Sequence, residues 1–259
     1  MEYQSFSQMV VSFALVLPRI AAAFLLLPYF SSDTIPPLLR NIFFVSLALA
    51  VTPLVLDAPP APTLTGTALI PIVLKEIFIG VCTGYAFGII FWALQGAGEV
   101  LDSKIGTMSA QLMDPVSGQQ TTLLGAYLGR LAAYLFAACG GLHVFVDLLM
   151  SSFSAWPILD PLPNLQAIGQ LFYIQRFDEL MRLVLLLAAP ALSLLTLLEV
   201  GLGFANRYAP QLNVFTLSMS LKGWVAVLVL LLTLGTVVDF IVDWLANQST
   251  LLEVLPFGR

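Results

Sequence analysis

The sequence predicts an all-α integral membrane protein, on the strength of its composition, its apolar runs and the turns between them. Of its 259 residues, 59% are hydrophobic and only 10% are charged, whereas soluble domains are about half apolar and about a quarter charged. Apolar runs long enough to cross a ~30 Å hydrocarbon core as helices occur roughly six times. The segments between them carry the proline, glycine and small polar residues that end helices.

The first run, Met9–Phe30, follows MEYQSFSQ. That start lacks the basic stretch of a cleaved leader, so the run is expected to stay in the mature protein. SSDTIPP (31–37) breaks the chain before Asn41–Leu56, a run of marginal length. DAPPAPTLTG (57–66) separates this from Ala68–Gln95, which is long enough to tilt or break. Thr122–Met150 reads as one run, and SAWPILDPLPN (154–164) is a longer proline-rich crossover. Phe177–Ala205 and Val214–Ala246 close the series around NRYAPQLN (206–213). The whole chain, 1–259, reads as a single membrane domain. If every run spans, Arg40, Lys104 and Arg207 fall on one side and Arg176 and Arg259 on the other. That asymmetry is too small to orient the chain.

Several charges lie deep in these runs: Arg19, the neighbours Lys75 and Glu76, Arg130, Glu199 and Lys222. Each would cost about 2.5–3.5 kcal/mol in lipid, so such groups face protein or water. Structural ion pairing and a polar pathway both fit. Adjacent residues point to different helix faces, so Lys75 and Glu76 are expected to need partners on another helix or another chain. Gly80, Gly84 and Gly88 recur one turn apart, as do Gly125 and Gly129. Such stripes let backbones approach closely, and internal helix packing is the plainer reading of them.

Catalytic chemistry is missing. His143, the single histidine, stands one turn before Asp147, a spacing more often structural than catalytic. Cys82 and Cys139 both sit in apolar runs and read as small hydrophobes. No histidine or cysteine set suits a metal, no nucleophile elbow or phosphate loop occurs, and Asp239 and Asp243 lack further acidic company. The chain is therefore read as no enzyme, with no catalytic residues, metal or cofactor. The net charge of −5 and the absence of basic runs exclude nucleic acid. A subunit of a small-solute transporter is the rival reading, since intramembrane charges and broken helices mark that class.

One polar stretch interrupts the greasy chain: GTMSAQLMDPVSGQQTT, from Gly106 to Thr122. It is rich in Gly, Ser and Gln, holds Met108 and Met113, and has one charge, Asp114. Methionine adapts to irregular, changing contacts, and glycine lets a loop turn tightly.

The C-terminal third carries a resemblance. EVGLGFANRYAPQLNVFTLSMSLKG (199–223) contains Arg207, Ala209, Pro210, Gln211, Asn213 and Phe215. It resembles the family of the flagellar protein FliR and its injectisome counterparts SpaR, YscT and HrcT, the T-type subunits. The likeness extends through LPRIAAAFLLLPYFSSDTIPPLLRN (17–41), with Arg19, Pro28, Pro36 and Arg40 in place. It continues through Glu76, Gly80 and Gly84, then Gly98, Asp102 and Gly106, then Asp114, Pro115 and Gly118. Glu199 and Lys222 look more like injectisome members than flagellar ones, although a flagellar export gate is the alternative.

The resemblance implies a core subunit of the type III export gate. Its fold would be tilted, partly broken helical hairpins packed in a helical multi-subunit gate rather than a simple six-span bundle. Its partners would be the R-type (FliP-like) and S-type (FliQ-like) subunits, the U-type (FlhB-like) switch protein, and the inner rod or needle adaptor. Unfolded substrates would pass through the channel they build. The place would be the bacterial inner membrane, with the gate projecting towards the periplasm. Residues 106–118 would form a plug loop: Gly106, Thr107, Met108, Ser109, Ala110, Gln111, Leu112, Met113, Asp114, Pro115 and Gly118. Residues 206–215 would form a rigid bend at Pro210, which removes a helix donor. Arg19, Lys75, Glu76, Asp102, Arg130, Glu199 and Lys222 would be buried charges paired across helices or subunits.

Overall fold

The structure, a computed structural model, describes residues 2–30, 35–56, 66–106, 112–113, 120–158, 165–208 and 214–254. Seven α-helices account for nearly all of them: α1 (Glu2–Leu25), α2 (Pro37–Leu56), α3 (Gly66–Ile105), α4 (Leu123–Ala138), α5 (Gly141–Ala155), α6 (Leu165–Tyr208) and α7 (Val214–Val254). Pro28–Phe30 adds a single 3-10 turn after α1. Two short strands, β1 (Leu112–Met113) and β2 (Gln120–Thr121), pair antiparallel between α3 and α4.

Among the described residues, stretches of three helices suit a membrane by length and composition: Leu69–Ile105, Arg176–Tyr208 and Leu217–Ala246. The bent pair α4–α5 forms a fourth, broken candidate. Met9–Leu25 and Pro37–Pro53 are shorter. This is fewer spans than the roughly six runs suggest by the length of a bilayer.

The differences from the sequence reading have local causes. The run Thr122–Met150 is two helices, because Gly140 takes φ +77° at the break after Cys139. An L side chain strains at such an angle and glycine does not. Cys139 is exposed at this break rather than a buried hydrophobe. The third run continues past Gln95 to Ile105, where Gln95 donates to Glu99 one turn on. Hydropathy falls there, yet the helix period persists.

The chain divides into two compact units. One comprises Met1–Ile89, Gly140–Ile174 and Leu245–Arg259; the other comprises Ile90–Cys139 and Gln175–Trp244. In the first, Phe24 anchors an aromatic cluster, with ring centroids 4.8 Å from Phe30, 5.2 Å from Phe43 and 4.9 Å from Phe145. Edge-to-face geometry at all three contacts suits the ring quadrupoles. In the second, Ala97, Leu101, Leu124, Ala188, Ala191, Leu195, Ala226 and Val229 form the core. Its alanines let α3, α6 and α7 approach closely, as small residues do between membrane helices. Helix hydroxyls are satisfied at home: Thr83 donates to Ile79 O, and Thr233 to Val229 O.

Candidate functional site

In the first unit, glycine spacing delivers a charge cluster. Glu76, Gly80 and Gly84 follow at successive turns of one α3 face. A Cβ built on Gly80 would strike the Arg19 carbonyl, and one on Gly84 the Ala23 carbonyl. The backbones of α1 and α3 therefore cross at glycine, and Arg19 arrives beside Glu76. Arg19 Nε donates to Glu76 Oε2 at 2.6 Å, and Nη2 donates to Oε1 at 3.0 Å. Both side chains are fully buried.

The rest of the guanidinium is used as well. Nη1 donates to Ser152 O (2.8 Å) and Ser152 Oγ (3.2 Å), and Nη2 also donates to Trp156 O (2.8 Å). Arg19 Cζ lies 4.2 Å from the Phe153 ring centroid. Lys75 Nζ donates to Pro157 O (2.9 Å) and Ile158 O (2.7 Å), and stands 3.3 Å from Glu76 Oε1. Glu76 and Lys75 each have a partner on another element, as expected, Arg19 of α1 and the carbonyls after α5, but they also meet each other: the flexible lysine stem folds back to its neighbour's carboxylate. Two cations face one carboxylate. The surplus positive charge rests on carbonyls at and beyond the C-terminus of α5, where the helix dipole is negative.

In the second unit, Asp102 is buried, and its Oδ2 accepts from Leu124 N (2.7 Å) and Gly125 N (3.3 Å). Again a glycine contact makes the reach possible. A Cβ on Gly98 would lie 2.6 Å from Gly125 Cα and N. A separate ionic group joins three helices. Glu199 of α6 accepts from Lys222 of α7 at 3.0 Å through Oε1, and pairs with Lys104 of α3 through Oε2. Its exposures are 47% for Glu199, 32% for Lys104 and 10% for Lys222. Thus Glu199 is half-exposed in this chain, while Lys222 is buried. Arg130 is exposed.

Other expected site residues are placed only in part. Gly106 ends α3 with φ +93°, a conformation suited to glycine. Leu112 and Met113 form β1, opposite Thr121 and Gln120 respectively. Thr107 to Gln111, Asp114, Pro115 and Gly118 lie outside the described residues. So do Ala209, Pro210, Gln211 and Asn213. Arg207 is exposed near the end of α6, and Phe215 falls in the first turn of α7. His143 Nε2 lies 3.4 Å from Asp147 Oδ2, and both are exposed. Among the described residues, no acidic, His or Cys group could hold a metal. The sequence reading missed Lys104, Ser152 and Phe153 as members of these clusters. Lys104, in the last turn of α3, is a position that favours cations.

Apolar helices of membrane length, internally satisfied hydroxyls and charges gathered at glycine crossings define an integral membrane protein with structural rather than catalytic polar groups. The chain belongs to the bacterial export proteins, family 1, whose model matches residues 10–247. It is 32% identical over 249 residues to the surface presentation of antigens protein SpaR of Salmonella typhimurium, covering 96% of this chain and 92% of that protein. It is 33% identical over 223 residues to the Yop proteins translocation protein T of Yersinia pestis, covering 86% and 85%. To the flagellar biosynthetic protein FliR of Bacillus subtilis it is 27% identical over 227 residues, covering 87% of each. The resemblance read from the motifs is therefore a family membership, and the chain is an export-apparatus membrane protein, not an enzyme.

Proposed function

We propose that this chain is a core subunit of the type III export gate in the bacterial inner membrane. With R-type and S-type subunits it builds the channel through which unfolded substrates cross, and the assembled gate projects towards the periplasm. The observation that carries the reading is the family match, continuous over residues 10–247. Higher identity to the Salmonella SpaR and the Yersinia translocation protein T than to the Bacillus FliR favours the injectisome over the flagellum.

The surface supports partners. Apolar windows on α6 and α7 are only 22% and 17% buried, against 67% on α3. On these helices the Lys104–Glu199–Lys222 group carries one more cation than anion, and lipid is a poor solvent for it. A neighbouring subunit supplies both an apolar cover and a counter-charge. The U-type switch protein and the rod or needle adaptor are further partners in this reading.

The segment 106–118 is the proposed plug. Its Met, Gly, Ser and Gln make a deformable seal that accepts any passing chain, whereas fixed charges would select among substrates. Co-expression with R-type and S-type subunits should recover this chain in their complex after affinity purification of either one. Recovery of a solute-transporting chain alone would favour the transporter class instead. Deletion of Met108–Met113 should raise ion leakage in cells carrying the assembled gate, and unchanged leakage would sink the plug reading.

A further inference from the structure

We propose that Asp102 is the positioning residue for the start of α4. The helix begins after Thr122, a residue type that ordinarily caps a helix through its own hydroxyl. Here Thr122 has extended backbone angles suited to that role (φ −79°, ψ 146°), yet makes no side-chain cap bond. Its Oγ1 is buried without a hydrogen-bond partner. The amides a cap would serve, Leu124 N and Gly125 N, are taken by Asp102 Oδ2 from the neighbouring helix α3. A buried carboxylate at a helix N-terminus also meets the positive end of the dipole. The cap has been moved from Thr122 to a side chain that precedes Leu124, whose amide it serves, by 22 positions.

That relocation ties the ends of the intervening segment together. Gly106 N donates to Asp102 O at 3.1 Å, so the same residue terminates α3 through its carbonyl and starts α4 through its carboxylate. The Leu112–Thr121 and Met113–Gln120 pairs continue the closure one step outward. Gly98 against Gly125 makes the approach possible, since a side chain at either position would separate the helices. Unwinding the first turn of α4 requires breaking the Asp102 bonds.

The test is amide hydrogen exchange at Leu124 and Gly125, followed by mass spectrometry in the purified complex of the full-length chain with its co-expressed partners. D102A should exchange there roughly five- to tenfold faster, as for loss of a helix cap. D102N keeps an acceptor oxygen without the charge and should fall between. T122A alone should leave exchange unchanged, because that hydroxyl makes no cap bond. The rescue is specific: T122D places a carboxylate at the helix's own cap position, where removal of the Asp102 side chain leaves room. D102A/T122D should therefore restore slow exchange. Wild-type exchange in both D102A and D102N, or no restoration by T122D, would overturn the proposal. Ion leakage in the same strains separates it from the plug reading. Faster exchange upholds the role of Asp102 whether or not leakage changes. Raised leakage with unchanged exchange overturns the role of Asp102.

Discussion

The Arg19–Lys75–Glu76 cluster and the Lys104–Glu199–Lys222 cluster contain the same charges, two cations and one carboxylate, yet they are finished differently. In the first, every donor of the guanidinium and of the ammonium has an acceptor, and the surplus charge lies against carbonyls at the end of α5. In the second, Glu199 is the shared partner of both lysines among the described residues, and it is half-exposed. A saturated, dry cluster has nothing left to offer another molecule. An unsaturated one on an apolar face does. On the export-gate reading, the difference separates the two roles of intramembrane charge: a saturated cluster holds the chain together, and unmet hydrogen bonds on an apolar face are what a partner subunit would meet.

The largest effect should come from breaking the closed cluster. E76A leaves two buried cations without their carboxylate, at a cost of about 3–5 kcal/mol, and R19A removes the Arg19 donors from Glu76 and from the end of α5. Thermal unfolding of the detergent-purified chain should register this as a sharply lowered midpoint or as failure to accumulate. R19K should not rescue, because lysine lacks the planar fork that meets Glu76 bidentately. Wild-type stability in R19K would remove the claim that the fork matters.

A smaller loss is expected where the cluster is delivered. G80A adds a methyl group against the Arg19 carbonyl and must push α1 from α3. Overpacking of this kind costs about 1–3 kcal/mol. The same thermal measurement checks it, and an unchanged midpoint would mean that the crossing is looser than its geometry.

The open cluster should behave in the opposite way. E199Q should destabilise the isolated chain less than E76A does, because Glu199 and Lys104 are partly exposed although Lys222 is buried. Recovery in the partner complex should nevertheless fall several-fold, since the two lysines would then carry unopposed charge into the interface. Equal recovery of E199Q and wild type would show that this cluster is no contact site and would erase the contrast between the two clusters.

Much of this architecture is legible in the chain itself. The helices follow from apolar runs, and the stripe at Gly80 and Gly84 correctly announced a close helix crossing. The break at Gly140 was also visible, as Cys139-Gly140-Gly141, but continuous hydropathy masked it. Lys75 beside Glu76 misled, because helical facing governs Cβ directions and not where a long, flexible stem ends. Asp102 was picked out by the family pattern Gly98, Asp102 and Gly106, yet its target was hidden. Backbone amides carry no signature in a sequence.

The sequence by itself determined the solvent, the helical character and the family of this protein. Those properties are sums over local residues: transfer energy accumulates along each run, and the Arg-x-Ala-Pro-Gln motif is read in order. Tertiary structure alone decided which charges close on one another. Arg19 and Glu76 lie 57 positions apart, and Asp102 serves amides on another helix. Their meeting depends on where glycine lets two backbones touch, and a glycine shows that an approach is possible without saying which helix will make it.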